Sequence, residues 1–559
     1  MSAGQRIEGH GGELAVAAAR RYGIETMFTL SGGHVFPLYD GAVKADPPMR
    51  LVDVRHEQTA VFAAEATAKL TRTPGLAVLT AGPGVTNGMS AVATAHFSGS
   101  PVLVLGGRAP QYRWGAGSLQ ELDHPPMLAP ITKHAATVAE TAGIAGAVDE
   151  GLRLAATPRR GPVFLDVPIE QLFGTAEADL SGPPDGGAAR RAPDPDALAR
   201  AAELLAAAER PVLVLGSEVW MDGAADAARD AAEELALPVI SNGMGRGILP
   251  AGHELLVTRA RSVAFGRADL VVVVGAPLDF RLGYGEFGGR DGAPRARVVH
   301  VADAPESVAR HAELHAAVAG DLTLALTGLV EAARRSGRAS APGGSRGAWL
   351  KELREAAKAA ADRDRELLAS DADPIHPARI YGELIPLLDE DAVVIGDGGD
   401  FVSFAGRYVE PKRPGCWLDP GPYGCLGTGL GYAAAARLCR PSAQVVLLLG
   451  DGAAGLSLMD VDTLVRHRLP VVMICGNNGI WGLEKHPMRA VYGYDVAAEL
   501  QPQCRYDGVA RALGGAGELV TKPADIGPAL RRAFGAGVPY LVNIATDPDV
   551  AYPRTTTGI

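Results

Sequence analysis

Residues 445–485 read VVLLLGDGAAGLSLMDVDTLVRHRLPVVMICGNNGIWGLEK. One apolar run ends in Gly450-Asp451-Gly452, and a second, LPVVMICG, ends in Asn477-Asn478. Short apolar runs closed by Gly, Asp or Asn and separated by a helical stretch are the pattern of buried parallel strands. The stretch GAAGLSLMDVDTLVRHR between them is expected as one helix with Val461, Leu464 and Val465 on its buried face. A strand–helix–strand crossover then brings Asp451 and Asn478 to one carboxyl edge of a sheet, where open α/β sheets bind their ligands. A carboxylate and an amide oxygen are hard donors suited to Mg2+, which commonly holds phosphate oxygens too. The glycines let backbone approach a phosphate, and a helix N-terminus favours its charge. Taken singly, GDG is a tight turn and NN a strand cap; the two together at this spacing argue for a binding site.

The same alternation extends outward over the chain. GLAVLTAG (75–82), PVLVLGG (101–107), RPVLVLGS (210–217), DLVVVVGA (269–276) and ARVVHVAD (296–303) repeat it, as do DAVVIGDGG and PYLVNIATD in the last third. Two stretches break it: EADLSGPPDGGAARRAPDPD (177–196) and RRSGRASAPGGSRGA (334–348), whose Pro, Gly, Ser and Ala content reads as linker. The 559 residues exceed what one core can serve. The expected architecture is α/β, with three doubly wound parallel-sheet domains spanning 1–180, 195–335 and 350–559.

Hydrophobic residues make up 47% and charged residues 21%, an ordinary globular balance. The net charge of −11 argues against nucleic acid as the main partner. Cysteines 416, 425, 439, 475 and 504 form no C-x-x-C pair, so a zinc site is not expected. The N-terminus has no apolar stretch fit for a signal peptide, and no apolar run of about 20 residues offers a membrane span. A cytoplasmic enzyme without a membrane partner is the expectation.

The GDG…NN spacing resembles the thiamin-diphosphate-binding motif, and the three-domain order resembles the acetolactate synthase-like superfamily over the whole chain. The resemblance implies a pyrimidine-binding first domain, a Rossmann-like middle domain and a diphosphate-binding last domain. It implies that Asp451, the Asn478 side chain and the Ile480 carbonyl hold Mg2+ against the diphosphate. Gly450, Gly452, Trp481, and Gly398 and Asp400 of GDGGD (396–400) would border the cofactor, although relatives often carry asparagine at the Asp400 position. Leu426, in GPYGCLGTGLGYAAAA (421–436), would support the cofactor's bend. Glu57, in MRLVDVRHEQTAVFAAEATAKLT (49–71), would share a proton with the pyrimidine ring so that its amino group can take the thiazolium C2 proton. On its own, Glu57 also reads as an acid complementing a helix dipole.

The segment 243–286 resembles 2-hydroxyacyl-CoA lyases and oxalyl-CoA decarboxylases, whose middle domain binds an ADP group of CoA or of a free activator. Asp303 then stands where a ribose-binding acid is expected, with Arg259 and Arg261 toward phosphates and the C-terminal Arg554 at a CoA mouth. GSLQELDH (117–124) resembles a substrate-facing loop and puts Gln120 and Glu121 near the thiazolium. Glu484 falls where related decarboxylases carry a catalytic glutamate; as a bare motif it also reads as a helix-start acid. The resemblance implies cleavage of a 2-hydroxyacyl-CoA thioester to formyl-CoA and an aldehyde or ketone, with Glu484 taking the 2-hydroxyl proton. The alternatives are an acetolactate synthase-like carboligase on pyruvate, which can carry FAD, and an oxalyl-CoA decarboxylase. The family also implies a homodimer or homotetramer with active sites between subunits.

Overall fold

The computed structural model describes residues 6–180, 190–335 and 345–552. Three parallel sheets organise them. The first runs Arg50–Asp53, Thr26–Thr29, Gly75–Leu79, Val102–Arg108, Val163–Pro168, His134–Thr137. The middle sheet runs Val239–Ser241, Pro211–Leu215, Leu270–Val274, Arg297–Ala302, Ala316–Ala319. The third runs Trp417–Leu418, Val393–Asp397, Val445–Gly450, Val472–Asn477, Tyr540–Ala545, Ala516–Val520. With the strands of each sheet numbered along the chain, both outer sheets have the order 2-1-3-4-6-5 and the middle sheet 2-1-3-4-5. The outer domains thus share one topology, and each sheet changes winding direction between its strands 1 and 3.

Both faces of every sheet are covered, which explains why the strands read as unbroken apolar runs. Val445, Leu447 and Leu449 join a core with Val461 and Leu464, whereas Val446 and Leu448 join one with Phe401, Tyr381 and Leu530. The middle sheet divides likewise, Leu213 and Val272 to one side and Val212 and Val271 to the other.

The outer domains share one continuous core. It forms where helix Glu57–Thr71 crosses helix Gly429–Cys439. Small residues permit the approach: a Cβ at Gly431 would meet the Thr59 carbonyl at 2.8 Å. Glu65 is wholly buried in this contact. Lys69 Nζ lies 2.7 Å from its carboxylate, and the Tyr432 hydroxyl (2.8 Å) and Ser100 hydroxyl (3.2 Å) donate to it. A buried charge survives there because its lone pairs are met.

Two sequence expectations change. The crossover after Gly450 is two helices, Asp451–Ser457 and Val461–Arg466, joined by a short 3-10 turn. The break presents Asp460 to the first domain, where it accepts from Arg55 N (2.8 Å) and the Thr59 hydroxyl (2.7 Å). Val461 and Leu464 are buried as expected. Residue 350 lies inside helix Ser345–Leu368, not at its edge. The first turns of that helix bury Trp349 and Leu353 against the middle sheet, and Trp349 Nε1 donates to the Pro211 carbonyl at 3.1 Å. Among the described residues no helix is long and apolar enough to cross a membrane.

Candidate active site

Asp397 pairs with Leu449 across the third sheet, and Gly450 pairs with Gly476. The ends of three neighbouring strands therefore lie level, at the point where the winding reverses. Asp451 starts a helix there and is nearly buried. Its Oδ1 accepts from Gly452 N at 3.0 Å and its Oδ2 from Gly479 N at 2.6 Å. Burial pushes its carboxyl up to about 6, against the downward pull of those N–H groups. Each oxygen keeps a lone pair for a cation.

The two asparagines divide their work. Asn477 ends its strand buried, and its amide donates to the Cys504 carbonyl (2.9 Å) and Asn543 Oδ1 (3.1 Å). Asn478 is half-buried, and its Oδ1 accepts from Ile480 N at 3.2 Å, which folds the Ile480 segment back beside Asp451. A carboxylate, an amide oxygen and a backbone carbonyl from Asp451, Asn478 and Ile480 form a donor set that fits Mg2+. The surrounding backbone is tightly fitted. Gly398 has φ +121°. A Cβ at Gly452 would lie 2.4 Å from the Trp481 ring, and one at Gly399 2.3 Å from Leu483. Asp400 Oδ1 accepts from Tyr552 N at 3.0 Å, tying the end of the described chain to this rim.

Asp397 was not among the expected residues. It is wholly buried, accepts from Gly427 N (3.0 Å) and Gly429 N (2.8 Å), and so anchors the turn after Leu426. Burial raises its carboxyl to about 6. The only sequence signal was its place in GDGGD, where the glycines drew attention instead.

The first domain presents its own carboxyl edge. Glu57 opens its helix, nearly buried, with Oε2 accepting from Asn87 Nδ2 at 3.0 Å. Asn87 is a second residue the sequence reading missed. Gln120 has φ +60° and lies against Gly82, where a Cβ would be 2.9 Å from its own Cβ. Glu121 closes its own loop: its two oxygens accept from Gly115 N (2.9 Å) and Ser118 N (3.2 Å). Gln120 is half-buried like Glu121 and packs against Gly82. Glu484 is exposed in the first turn of helix Gly482–Tyr492.

The nucleotide residues expected in the middle domain are engaged elsewhere. Arg259 pairs with Asp364 and bonds the Arg407 carbonyl (3.1 Å). Arg261 bonds the Arg281 carbonyl. Asp303 meets Arg160 at 3.3 Å and the Ser307 hydroxyl at 2.9 Å, at the seam with the first domain. The reason is burial: each of these charges must find a protein partner once enclosed. Arg554 lies outside the described residues. A cleft of about 350 Å3 opens instead at the carboxyl end of the middle sheet, bordered by Ser217, Glu218, Asp279, Arg281 and His311, with Lys69 and Pro422 from the outer domains.

Two carboxyl edges of equal topology, one with an acid in a helix start and one with an Asp–Asn cation set, describe an enzyme that holds a cofactor through a diphosphate. Family models agree along the chain: residues 9–127 match the thiamine pyrophosphate enzyme N-terminal TPP binding domain, 198–329 the central domain, and 397–544 the C-terminal TPP binding domain. The chain belongs to the thiamine pyrophosphate (thiamin diphosphate) enzymes. It is 51% identical over 549 residues to the acetolactate synthase large subunit IlvG of Mycobacterium tuberculosis, covering 98% of this chain and 97% of that one. It is 35% identical over 553 residues to 2-hydroxyacyl-CoA lyase 2 of Homo sapiens, covering 92% and 85%.

Proposed function

We propose that this enzyme is a carboligase of the acetolactate synthase type, condensing two pyruvates to acetolactate and CO2. The observation that carries this over the lyase reading is the 51% identity to the mycobacterial acetolactate synthase subunit, against 35% to the human lyase, at near-complete coverage of this chain.

Thiamin diphosphate supplies, when bound, a nucleophilic carbon that adds to carbonyls. Asp451, Asn478 and Ile480 would hold Mg2+ and through it the diphosphate, with Leu426 supporting the rings on the turn anchored by Asp397. The Glu57 carboxyl, oriented by Asn87, would hold a proton toward the pyrimidine nitrogen. Gln120 offers an amide donor to a substrate carbonyl oxygen. Because Glu57 and Asp451 belong to different domains of equal topology, we read the working enzyme as a dimer or tetramer whose sites lie between copies. The middle cleft is read as the place for an adenine nucleotide, as FAD or an ADP group. Five unpaired cysteine thiols suit a cytoplasmic setting.

One observation supports the second reading, 2-hydroxyacyl-CoA cleavage: Glu484 is exposed in the first turn of its helix, and such a carboxylate would be available to take a hydroxyl proton. The test is product analysis with purified enzyme, thiamin diphosphate and Mg2+. Acetolactate from pyruvate alone is expected. Formyl-CoA from a short 2-hydroxyacyl-CoA, with no acetolactate from pyruvate, would replace the proposal by the lyase.

A further inference from the structure

Two histidines given no role so far, His34 and the His124 that ends GSLQELDH, hold the loop that carries Gln120. His34 follows strand Thr26–Thr29 and is nearly buried. Its Nδ1 lies 3.4 Å from the Thr80 hydroxyl, and its ring lies beside the backbone of Leu119, the neighbour of Gln120. Room for the ring is built in: a Cβ at Gly107 would lie 2.6 Å from the His34 Cβ, and one at Gly32 2.2 Å from the Thr80 Cβ. Burial lowers the pKa of His34, and the nearby His124 adds to this, while the Leu119 backbone opposes it. The neutral ring can donate from one nitrogen and accept at the other.

His124 closes the far end of the loop and is wholly buried. Its Nε2 accepts from Gly82 N at 2.9 Å, so the proton sits on Nδ1, 2.8 Å from Asp166 Oδ2. Asp166 is fixed in turn by Arg108 at 3.0 Å. Gly82, with φ +58°, precedes helix Pro83–Phe97, the helix whose Asn87 holds Glu57. The clamp on Gln120 and the support of Glu57 therefore meet at one backbone position.

We propose that His34 is a positioning residue for substrate: by holding Thr80, two residues before the Gly82 against which Gln120 packs, it keeps Gln120 in its left-handed conformation. Position +60° in φ is unfavourable for a residue with a side chain, so the loop needs anchors on both sides, His34 on one and His124 on the other. The inference rests on the reading of Gln120 as a substrate contact, and it assigns to His34 control over the carbonyl substrate rather than over cofactor activation, which belongs to Glu57.

The test uses the full-length holoenzyme and compares His34→Leu, His34→Gln, Thr80→Val and Gln120→Ala. His34→Leu is expected to raise the KM for pyruvate about tenfold, the worth of one lost positioning hydrogen bond, while C2-proton exchange of bound cofactor and its Kd stay within about twofold. His34→Gln, which keeps a donor, should recover most of the loss. If Gln120→Ala raises KM and neither His34→Leu nor Thr80→Val does, His34 does not position the loop and the proposal falls. If Gln120→Ala has no effect either, the substrate role of the loop falls with it. If His34→Leu fails to fold, Thr80→Val decides by the same KM readout. Slowed C2-proton exchange in these variants would equally overturn the assignment, since it would place the effect on Glu57.

Discussion

Asp451 Oδ2 and the Gly479 N–H, separated by 28 residues, are 2.6 Å apart. That bond closes the crossover between two adjacent strands and ties the turn of Asn478–Ile480 to the carboxylate. The spacing of the two sequence signatures is thus the length of chain needed to leave one strand end, cross the sheet and return at the next.

Removing the charge of Asp451 tests the cation set directly. Asp451→Asn is expected to weaken Mg2+-dependent binding of thiamin diphosphate by at least about tenfold, since a hard ligand is lost. Calorimetric titration with cofactor and Mg2+ measures this, with circular dichroism to show that the fold persists. Unchanged affinity would remove Asp451 from the metal site.

Glu57→Gln keeps the shape of the side chain and its contact to Asn87, but cannot share a proton. The rate of C2-proton exchange in bound cofactor is expected to drop about a hundredfold or more, in line with the loss of an acid–base group. Cofactor affinity should change far less. The proton-exchange rate by NMR is the measurement.

Gly452 has no room for a side chain under the Trp481 ring. Gly452→Ala should destabilise the cradle by about 1–3 kcal/mol, the usual cost of overpacking. Adding Trp481→Ala should return part of that loss. A double-mutant cycle on thermal or urea unfolding gives the coupling; strict additivity would show that the two residues do not meet.

Glu218, half-buried at the middle cleft, has its carboxyl pushed up to about 8 by desolvation, with Asp303 adding in the same direction. The native state therefore keeps a proton that the unfolded chain releases above its ordinary value of 4.5. Stability should be complete below that value and decline as pH rises toward 8, at up to about 1.4 kcal/mol per pH unit. Glu218→Gln should flatten this slope. Urea midpoints between about pH 5 and 9 measure it; a wild type that gains stability over that range would contradict the burial of a neutral acid.

The strands and their parallel pairing were legible because a doubly covered strand must be apolar on both faces, and runs such as VVLLLG and LVVVV show it. The two strand ends that carry Asp451 and Asn478 were legible because each closes an apolar run with a turn residue and a polar side chain. The broken crossover helix was hidden: Asp460 looks like any polar helix residue until the first domain brings Arg55 and Thr59 to it. Asn87, Asp397, His34 and His124 were hidden for the same reason, since their partners lie 30 or more residues away for each of the first three and 42 for His124.

By itself the sequence determined the α/β class, the three-part division and the Asp451–Asn478 edge, because these follow from local periodicity and short spacings. Tertiary structure alone decided which charges stay available for chemistry. Burial obliges every enclosed ion to find a partner, and that partner is chosen by which strands and helices become neighbours. Arg259 and Arg261 were spent in this way, Glu121 was drawn into its own loop, and Glu57 was left to be aimed by an asparagine from the next helix.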